Sequence, residues 1–325
     1  MRVGHHYALR MDLLVRVEGA CSGDSTDRRL RERLIALIGE RLAFGGHVFA
    51  LTDPVTGVAS SPHATVPMLP WPELPGLIRA RYLTPDRTQW HGVLARFGVT
   101  DTAFVTFADR HGTWGWLELW HTGGRYDAQD RALLERLAPA VTRGLRAASA
   151  RTFAARDAGL APVPPGVVVL GDDLHVRDQT DAAAEALLHL LPPDEPMAPI
   201  PAAAYNTAAA LIAVEAGRWP GDPSARVHLG GNRWVTVRAA RLGADIAVAI
   251  SPSTAAERTD LFARVHGLSP RETEVLDMAL LGLGTPAIAE RLVVARTTAE
   301  DHMKAVLAKT GSPSRQVLLA RALGT

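Results

Sequence analysis

Residues 267–323, GLSPRETEVLDMALLGLGTPAIAERLVVARTTAEDHMKAVLAKTGSPSRQVLLARAL, predict a bundle of short helices. Ser269, Pro270 and Glu272 are typical of a helix start, because a serine cap and a glutamate at the third position satisfy free backbone amides. Thr285-Pro286 repeats a cap followed by proline and predicts a second start. Further signals are helix ends at Gly282, Gly284 and Gly311 and a fourth start around residues 312–314.

The third helix of this stretch, RTTAEDHMKAVLAKTG (296–311), contains Lys304 and Lys309, the only lysines in the chain. A helical wheel at about 100° per residue separates a buried side from an exposed side. The buried side comprises Ala299, Met303, Val306, Leu307 and Thr310. The opposite side comprises Thr297, Asp301, Lys304, Ala305 and Ala308, with Thr298, His302 and Lys309 along one edge and Glu300 along the other.

Short helices with tight turns, the third carrying basic residues, are the layout of a helix-turn-helix DNA reader. The segments LSPRETEVL, AIAERL, His302 and KTG (309–311) resemble the LuxR-type helix-turn-helix in order and spacing. The resemblance implies that helix 285–292 braces the DNA backbone, helix 297–309 enters the major groove of double-stranded DNA, and helix 314–323 pairs two protomers. Residues expected at the DNA are Thr285, Arg296, Thr297, Thr298, Asp301, His302, Lys304 and Lys309. In helix 314–323, Val317, Leu318 and Ala320-Arg321 are compatible with a small self-association face.

Three positions depart from the LuxR-type pattern, which has a hydroxyl residue at Ala295, a basic residue at Glu300 and asparagine at Asp301. Three interpretations remain open. Thr297 and Glu300 form a capping box because Ala295 cannot cap; Asp301 accepts a hydrogen bond from a cytosine amino group; or both acids weaken DNA binding. In each case Lys304 and Lys309 are the expected cationic contacts.

Residues 1–157 predict a sensor-like α+β domain. Residues 27–44 have helical periodicity, 47–53 form a strand, and 103–121 form two strands joined at Asp109–Gly112. Asp127 is expected to cap helix 128–148, and the stretch 62–90 is rich in proline and tryptophan. The order of elements, the Trp114-Gly115 pair and the YDAQDRALLERLAPAV segment resemble a GAF-type domain.

Residues 158–253 predict a second α+β unit after the proline-rich APVPPG (161–166). A strand pair in 166–180, helices 181–191 and 202–216, and strands 225–231, 233–242 and 245–251 follow. This order, opened by VVVLGDDLHVRDQTDAAAEALL, resembles a PAS-type domain. The fold class predicted is therefore multidomain: two antiparallel-sheet sensor-like domains, GAF-like and PAS-like, followed by an all-α four-helix helix-turn-helix domain over 254–325.

Trp114, Trp116, Glu118 and Trp120 alternate along one strand and are expected on one of its faces. They predict either an aromatic ligand pocket or a core face built from large residues.

The distribution of charge along the chain argues against DNA contacts in its middle part. Residues 158–260 carry 7 basic and 12 acidic residues, a balance of −5, whereas 261–325 carry 8 and 6, a balance of +2. The single cysteine, Cys21, excludes an internal disulfide and multi-cysteine metal sites. His5-His6 lacks a third spaced ligand, so we expect no metal site there, and no cofactor is expected. No Gly-x-Ser-x-Gly, His-Glu-x-x-His or P-loop motif is present, so no enzyme activity is expected.

The sequence thus predicts a cytoplasmic homodimeric transcription regulator that binds promoter DNA, with an unidentified small-molecule effector and no membrane segment. The alternative keeps the DNA-binding domain but makes the N-terminal part a ligand-free scaffold for protein interaction or dimerisation.

Overall fold

The computed structural model describes residues 2–84, 86–154, 163–188 and 202–324, which form two antiparallel-sheet units followed by a helical unit. This architecture confirms the predicted succession of two α+β units and an all-α unit. The predicted boundary at 157/158 and residues 189–191 of a predicted helix lie outside the described residues.

The first unit has helices on both faces of a four-stranded sheet. Its helices are α1 (Arg2–Cys21), α2 (Asp27–Gly39), α3 (Leu74–Leu83), α4 (Arg87–Ala95) and α5 (Ala128–Thr152). Its strands are β1 (Gly46–Thr52), β2 (Ala59–Thr65), β3 (Asp101–Asp109) and β4 (Gly112–His121), paired in the order β2-β1-β4-β3. The predicted β3–β4 hairpin is confirmed. So is the Asp127 cap, whose carboxylate accepts from the amides of Gln129 and Asp130.

The proline- and tryptophan-rich stretch holds regular structure that sequence patterns did not predict. It contains β2, α3 and α4, while α1 precedes the first predicted helix. Strand β2 carries Pro62 and lies at the edge of its sheet, where a missing amide is tolerated. Proline lowers the strand propensity of this segment, so its pairing with β1 decides that it is extended.

A β-bulge in β4 divides the four residues that were expected on one face. Phe107 pairs with Gly115 and Ala108 with Thr113, so Trp114 is an extra residue with no counterpart on β3. Its indole consequently joins the core beneath α1, α2 and α5. Trp120 packs on the opposite face, beneath α3 and α4. The prediction of one shared face is therefore wrong for Trp114.

The second unit is a five-stranded sheet covered on one face by helices. The strands are β5 (Gly166–Leu170), β6 (Val176–Gln179), β7 (Ser224–His228), β8 (Trp234–Leu242) and β9 (Asp245–Pro252), in the order β6-β5-β9-β8-β7. The helices are α6 (Asp181–Leu188) and α7 (Ala202–Glu215). One side of helix α7 packs on the second sheet, and its other side packs against α3 and β2 of the first unit. The helix therefore has no polar stripe. The two sheet units therefore share a core, which includes Val58 and Tyr82.

The third unit consists of α8 (Ala255–Val265), α9 (Pro270–Leu280), α10 (Thr285–Leu292), α11 (Arg296–Thr310) and α12 (Arg315–Leu323). The prediction of four helices in this unit misses α8, which connects the second sheet to the other four. Thr254 caps α8 through a capping box with Glu257. Because only two residues separate β9 from α8, the helix is placed directly against the sheet.

One buried guanidinium, that of Arg226 on β7, joins all three units. Its Nε and Nη2 donate to the two carboxylate oxygens of Asp53 at 2.6 and 3.0 Å, and its backbone amide donates to Asp53 as well. Its Nη1 donates to Asp260 Oδ2 at 2.7 Å and to the Glu257 carbonyl at 3.0 Å, both on α8. Burial alone raises the pKa of Asp53, but the bonds from Arg226 outweigh it and hold that pKa below its usual value. The pair is therefore ionised in the fold.

A second junction forms around Phe153, directly after α5. Its ring stacks on Trp234 of β8 and meets Phe262 of α8 edge-on, with ring centres 5.5 and 5.4 Å away. The Arg258 guanidinium lies 4.7 Å from the ring centre of Phe153. Arg258 also donates to the Asn232 carbonyl at 2.9 Å and to the Arg321 carbonyl at 3.2 Å. Helix α8 is thus fixed to both sheet units, and α12 is attached to it.

Replacing Asp53 with alanine is expected to lower the free energy of unfolding by about 3–5 kcal/mol, because Arg226 would lose its buried counter-ion and keep only the half-exposed Asp260. Chemical denaturation followed by circular dichroism measures this. The matched control is Glu40→Gln, which breaks the exposed pair between Arg16 and Glu40 and is expected to leave the unfolding midpoint unchanged. Equal midpoints for both variants and wild type would contradict a stabilising role for the Arg226 junction.

Candidate nucleic-acid interface

The start of α9 is a capping box, as the sequence predicts. The Glu272 amide donates to the Ser269 hydroxyl at 3.3 Å, and the Ser269 amide donates to Glu272 Oε2 at 2.7 Å. The buried stripe of Val275, Leu276 and Ala279 packs against the helices that follow. This box fixes the end of α9 to which α11 is attached.

Three arginines brace the bundle through backbone carbonyls. Arg271 Nη2 donates to the Leu292 carbonyl at 2.7 Å, tying α9 to the end of α10. Arg315 donates to the Ala279 and Leu283 carbonyls. Arg321 Nη1 donates to the Gly311 and Thr310 carbonyls at 3.0 and 3.2 Å. These cations are committed to holding helix ends, where carbonyls lack intrahelical partners.

The caps of α10 differ from the sequence expectation. Gly284 occupies the cap position without a side-chain bond, while Thr285 and Pro286 are the first two helical residues. The prediction that Thr285 caps the helix is therefore wrong, because the helix begins one residue earlier. At the other end Val293 is left-handed, with φ of 53°, and turns the chain toward α11.

Helix α11 begins at Arg296, with Ala295 as a cap that makes no side-chain bond. Thr297 therefore lies inside the helix, and the expected capping box between Thr297 and Glu300 is wrong. Glu300 Oε1 instead accepts from Arg296 Nε at 2.9 Å, an ion pair one turn apart on the helix. The wheel prediction of the buried side is confirmed for Ala299, Met303, Val306 and Thr310, whereas Leu307 is only half-buried.

The exposed face of α11 brings together most of the predicted contact residues. Arg296, Thr297 and Thr298 are exposed at its first turn, and Thr285 and His302 are half-buried beside it. Asp301 and Lys304 are largely exposed, with 73% and 74% of their side chains accessible to solvent. Lys304 Nζ lies 3.4 Å from Asp301 Oδ1, so the acid is matched by a cation on the same face.

Lys309 turns into the domain. Its Nζ lies 2.6 Å from Glu272 Oε2 and 3.5 Å from the Gly267 carbonyl. Burial raises the pKa of Glu272, yet the bonds from Lys309 and Ser269 lower it below its usual value. Lys309 is consequently a weaker candidate than Lys304 for a contact with phosphate.

The expected self-association face on α12 is only partly available. Leu318 is fully buried in the core of the unit, and Arg321 is committed to the end of α11. Val317 and Ala320 remain half-buried, and Leu323 is exposed. Leu318 was therefore assigned to the wrong side of the helix.

The aromatic face of the first unit is filled by its own side chains. Glu118 is buried, and its two oxygens accept from Trp90 Nε1 at 2.8 Å and Trp120 Nε1 at 3.1 Å. The guanidinium of Arg81 lies 5.1–5.5 Å from the ring centres of three aromatic residues: Trp90, Phe104 and Trp116. Sequence reasoning missed Arg81 and the bonding of Trp90, since nothing in the local pattern places α3 and α4 on this face. A ligand role for Trp114, Trp116, Glu118 and Trp120 stays a prediction.

The bundle α9–α12 therefore presents one helix with an exposed polar face on a rigid support. Residues 266–322 match the family described as bacterial regulatory proteins, luxR family. The match covers the LuxR-type helix-turn-helix and leaves both sheet units outside it, so the GAF-like and PAS-like assignments stay predictions. No curated protein matches the chain.

Among the described residues, no helix combines the length and apolarity needed to cross a bilayer. The same residues contain no cluster of three or more His, Cys, Asp or Glu residues that could hold a metal ion.

Lys309→Ala is expected to destabilise the LuxR-type domain by about 0.5–1 kcal/mol, because it removes a half-exposed pair with Glu272. Lys304→Ala is the matched control, since its pair with Asp301 is mostly exposed and one helical turn apart. Thermal unfolding of both variants distinguishes the two lysines. A larger loss of stability for Lys304→Ala would contradict the structural role of Lys309.

Proposed function

We propose that the protein is a transcription regulator that binds double-stranded DNA by placing α11 in the major groove. The observation that carries this is the match of residues 266–322 to the luxR family, together with an exposed polar face on the helix that the helix-turn-helix layout assigns to the groove. We further propose a homodimer, because such readers bind paired half-sites with two copies of the reading helix.

The charges available to DNA are few. Residues 261–325 hold eight basic residues. Five of them are committed within the protein: Arg264, Arg271, Lys309, Arg315 and Arg321. Arg291, Arg296 and Lys304 remain, and the last two are matched by acids on their own helix. Electrostatic attraction to phosphate is therefore modest, and specific contacts carry more of the affinity.

A direct test selects bound sequences from a randomised duplex library with the full-length protein and then measures affinity across salt concentrations. With three cations per protomer, the log–log salt slope is expected to be at most about −3 per protomer. Lys304→Ala is expected to reduce its magnitude by about 1 and to weaken binding. Arg16→Gln, an exposed cation of the first unit, is the control. Unchanged affinity and slope for Lys304→Ala would remove α11 from the groove.

The contacts of α8 support control of DNA binding by the two sheet units. Arg226 and Phe153 connect this helix to both units, so a change in their relative position would move the LuxR-type domain. In a dimer, such movement would change the spacing or orientation of the two reading helices. A signal that shifts the population of the competent arrangement would then change operator affinity.

Asp260→Asn tests this coupling, because it weakens the α8 end of the junction and leaves the Asp53–Arg226 pair intact. Looser placement of the LuxR-type domain is expected to lower affinity for the selected DNA about 2- to 30-fold. Fluorescence anisotropy measures it, with Glu40→Gln as a control that also removes one carboxylate charge. Wild-type affinity for Asp260→Asn would show that the junction is only structural.

A second candidate is the same DNA-binding protein with a ligand-free scaffold at its N-terminus. The filled aromatic face favours it: Glu118 already accepts from two indoles, and Arg81 occupies the space among the rings. An effector at this face would have to displace one of these side chains. A sensor role for the first unit therefore requires rearrangement of α3 or α4.

A further inference from the structure

Asp301 is an acid at the centre of the face that meets DNA, where a negative charge is unfavourable. Phosphate repels it, and each contact made by neighbouring cations is weakened by its presence. Its side chain is 73% exposed, and no hydrogen bond to the backbone is found for it in the part of the chain described. Asp301 therefore contributes little to the fold, and its place on this face calls for a different explanation.

The neighbouring acid, Glu300, provides an internal comparison. Its pair with Arg296 is 2.9 Å long, and 39% of its side chain is exposed, at the edge of the face. The pair of Asp301 with Lys304 is longer, at 3.4 Å, and lies in the open. Glu300 thus positions a cation, whereas the carboxylate of Asp301 is free to take another partner.

An ionised carboxylate only accepts hydrogen bonds. In the major groove the donors are the exocyclic amino groups, N4 of cytosine and N6 of adenine, while guanine and thymine present acceptors there. A carboxylate opposite an acceptor would be desolvated without a partner, which is strongly unfavourable. Lys304, one turn further along, supplies the compensating charge and allows the acid to approach the duplex.

We propose that Asp301 is a specificity-determining residue of α11, accepting a hydrogen bond from an exocyclic amino group of cytosine or adenine at one position of each half-site. This rests on the proposed function, because it requires α11 in the major groove. Asp301 and Lys304 then act together: the acid rejects base pairs that place guanine or thymine, which present acceptors, opposite it, and the pair suppresses binding to random sequence.

Sequence selection from a randomised duplex library tests this with full-length wild type, Asp301→Ala and Asp301→Asn. Glu300→Gln is the matched control, since it also removes one acid from an exposed pair on the same helix. The melting temperatures of the variants verify that they fold, and the Asp301 variants are expected to melt at the wild-type temperature because the side chain is exposed. Wild type is expected to enrich cytosine or adenine at one position, and duplexes with each of the four base pairs at that position distinguish the two.

Asp301→Ala is expected to lose the preference at that position, a change of about 5- to 100-fold in relative affinity. It should also bind random duplex more tightly. Asp301→Asn should favour adenine, to which an amide donates and accepts. Glu300→Gln should alter affinity for all sequences alike.

Two results would overturn the proposal, and they differ. If Asp301→Ala raises affinity uniformly and keeps the wild-type sequence preference, Asp301 only shields Lys304, and the proposed function stands. If wild type enriches no sequence, both the specificity of Asp301 and the proposed function fail.

Discussion

The guanidinium of Arg226 is the constraint around which the three units are arranged. A buried charge must be paired and hydrogen-bonded, and its partners come from the turn between β1 and β2 and from α8. The Asp53 carboxylate is 2% exposed and the Arg226 side chain 8%, so neither can be satisfied by water if the units separate. This makes the relative position of the sheets and α8 part of the folded state.

The same arrangement gives the LuxR-type domain a defined orientation. Phe153 and Arg258 form a second attachment on another side of α8, and Arg258 also reaches the end of α12. Because α8 is attached at two places, it can neither rotate nor shift freely relative to the two sheet units. A rigid-body displacement of either sheet unit would therefore be transmitted through α8 to the LuxR-type domain.

The basic side chains of the LuxR-type domain fall into two groups. Cations at helix ends satisfy carbonyls or the capping glutamate, and these bonds maintain the bundle. Cations on α11 are exposed but matched by acids one turn away. Such a surface gains little from general attraction to phosphate, so in the proposed complex discrimination between sequences would depend on the few side chains that reach base edges.

The sequence by itself determined features that depend on near neighbours: the Ser269 and Asp127 caps, the β3–β4 hairpin, the buried stripe of α11 and the helix-turn-helix spacing. Capping and periodicity act within about one turn, which is why they can be read locally. Tertiary structure alone decided that Trp114 changes face, that Lys309 pairs with Glu272, and that Asp53 meets Arg226 across 173 residues. These depend on which surfaces meet when the chain packs, and no local pattern encodes the distance between them.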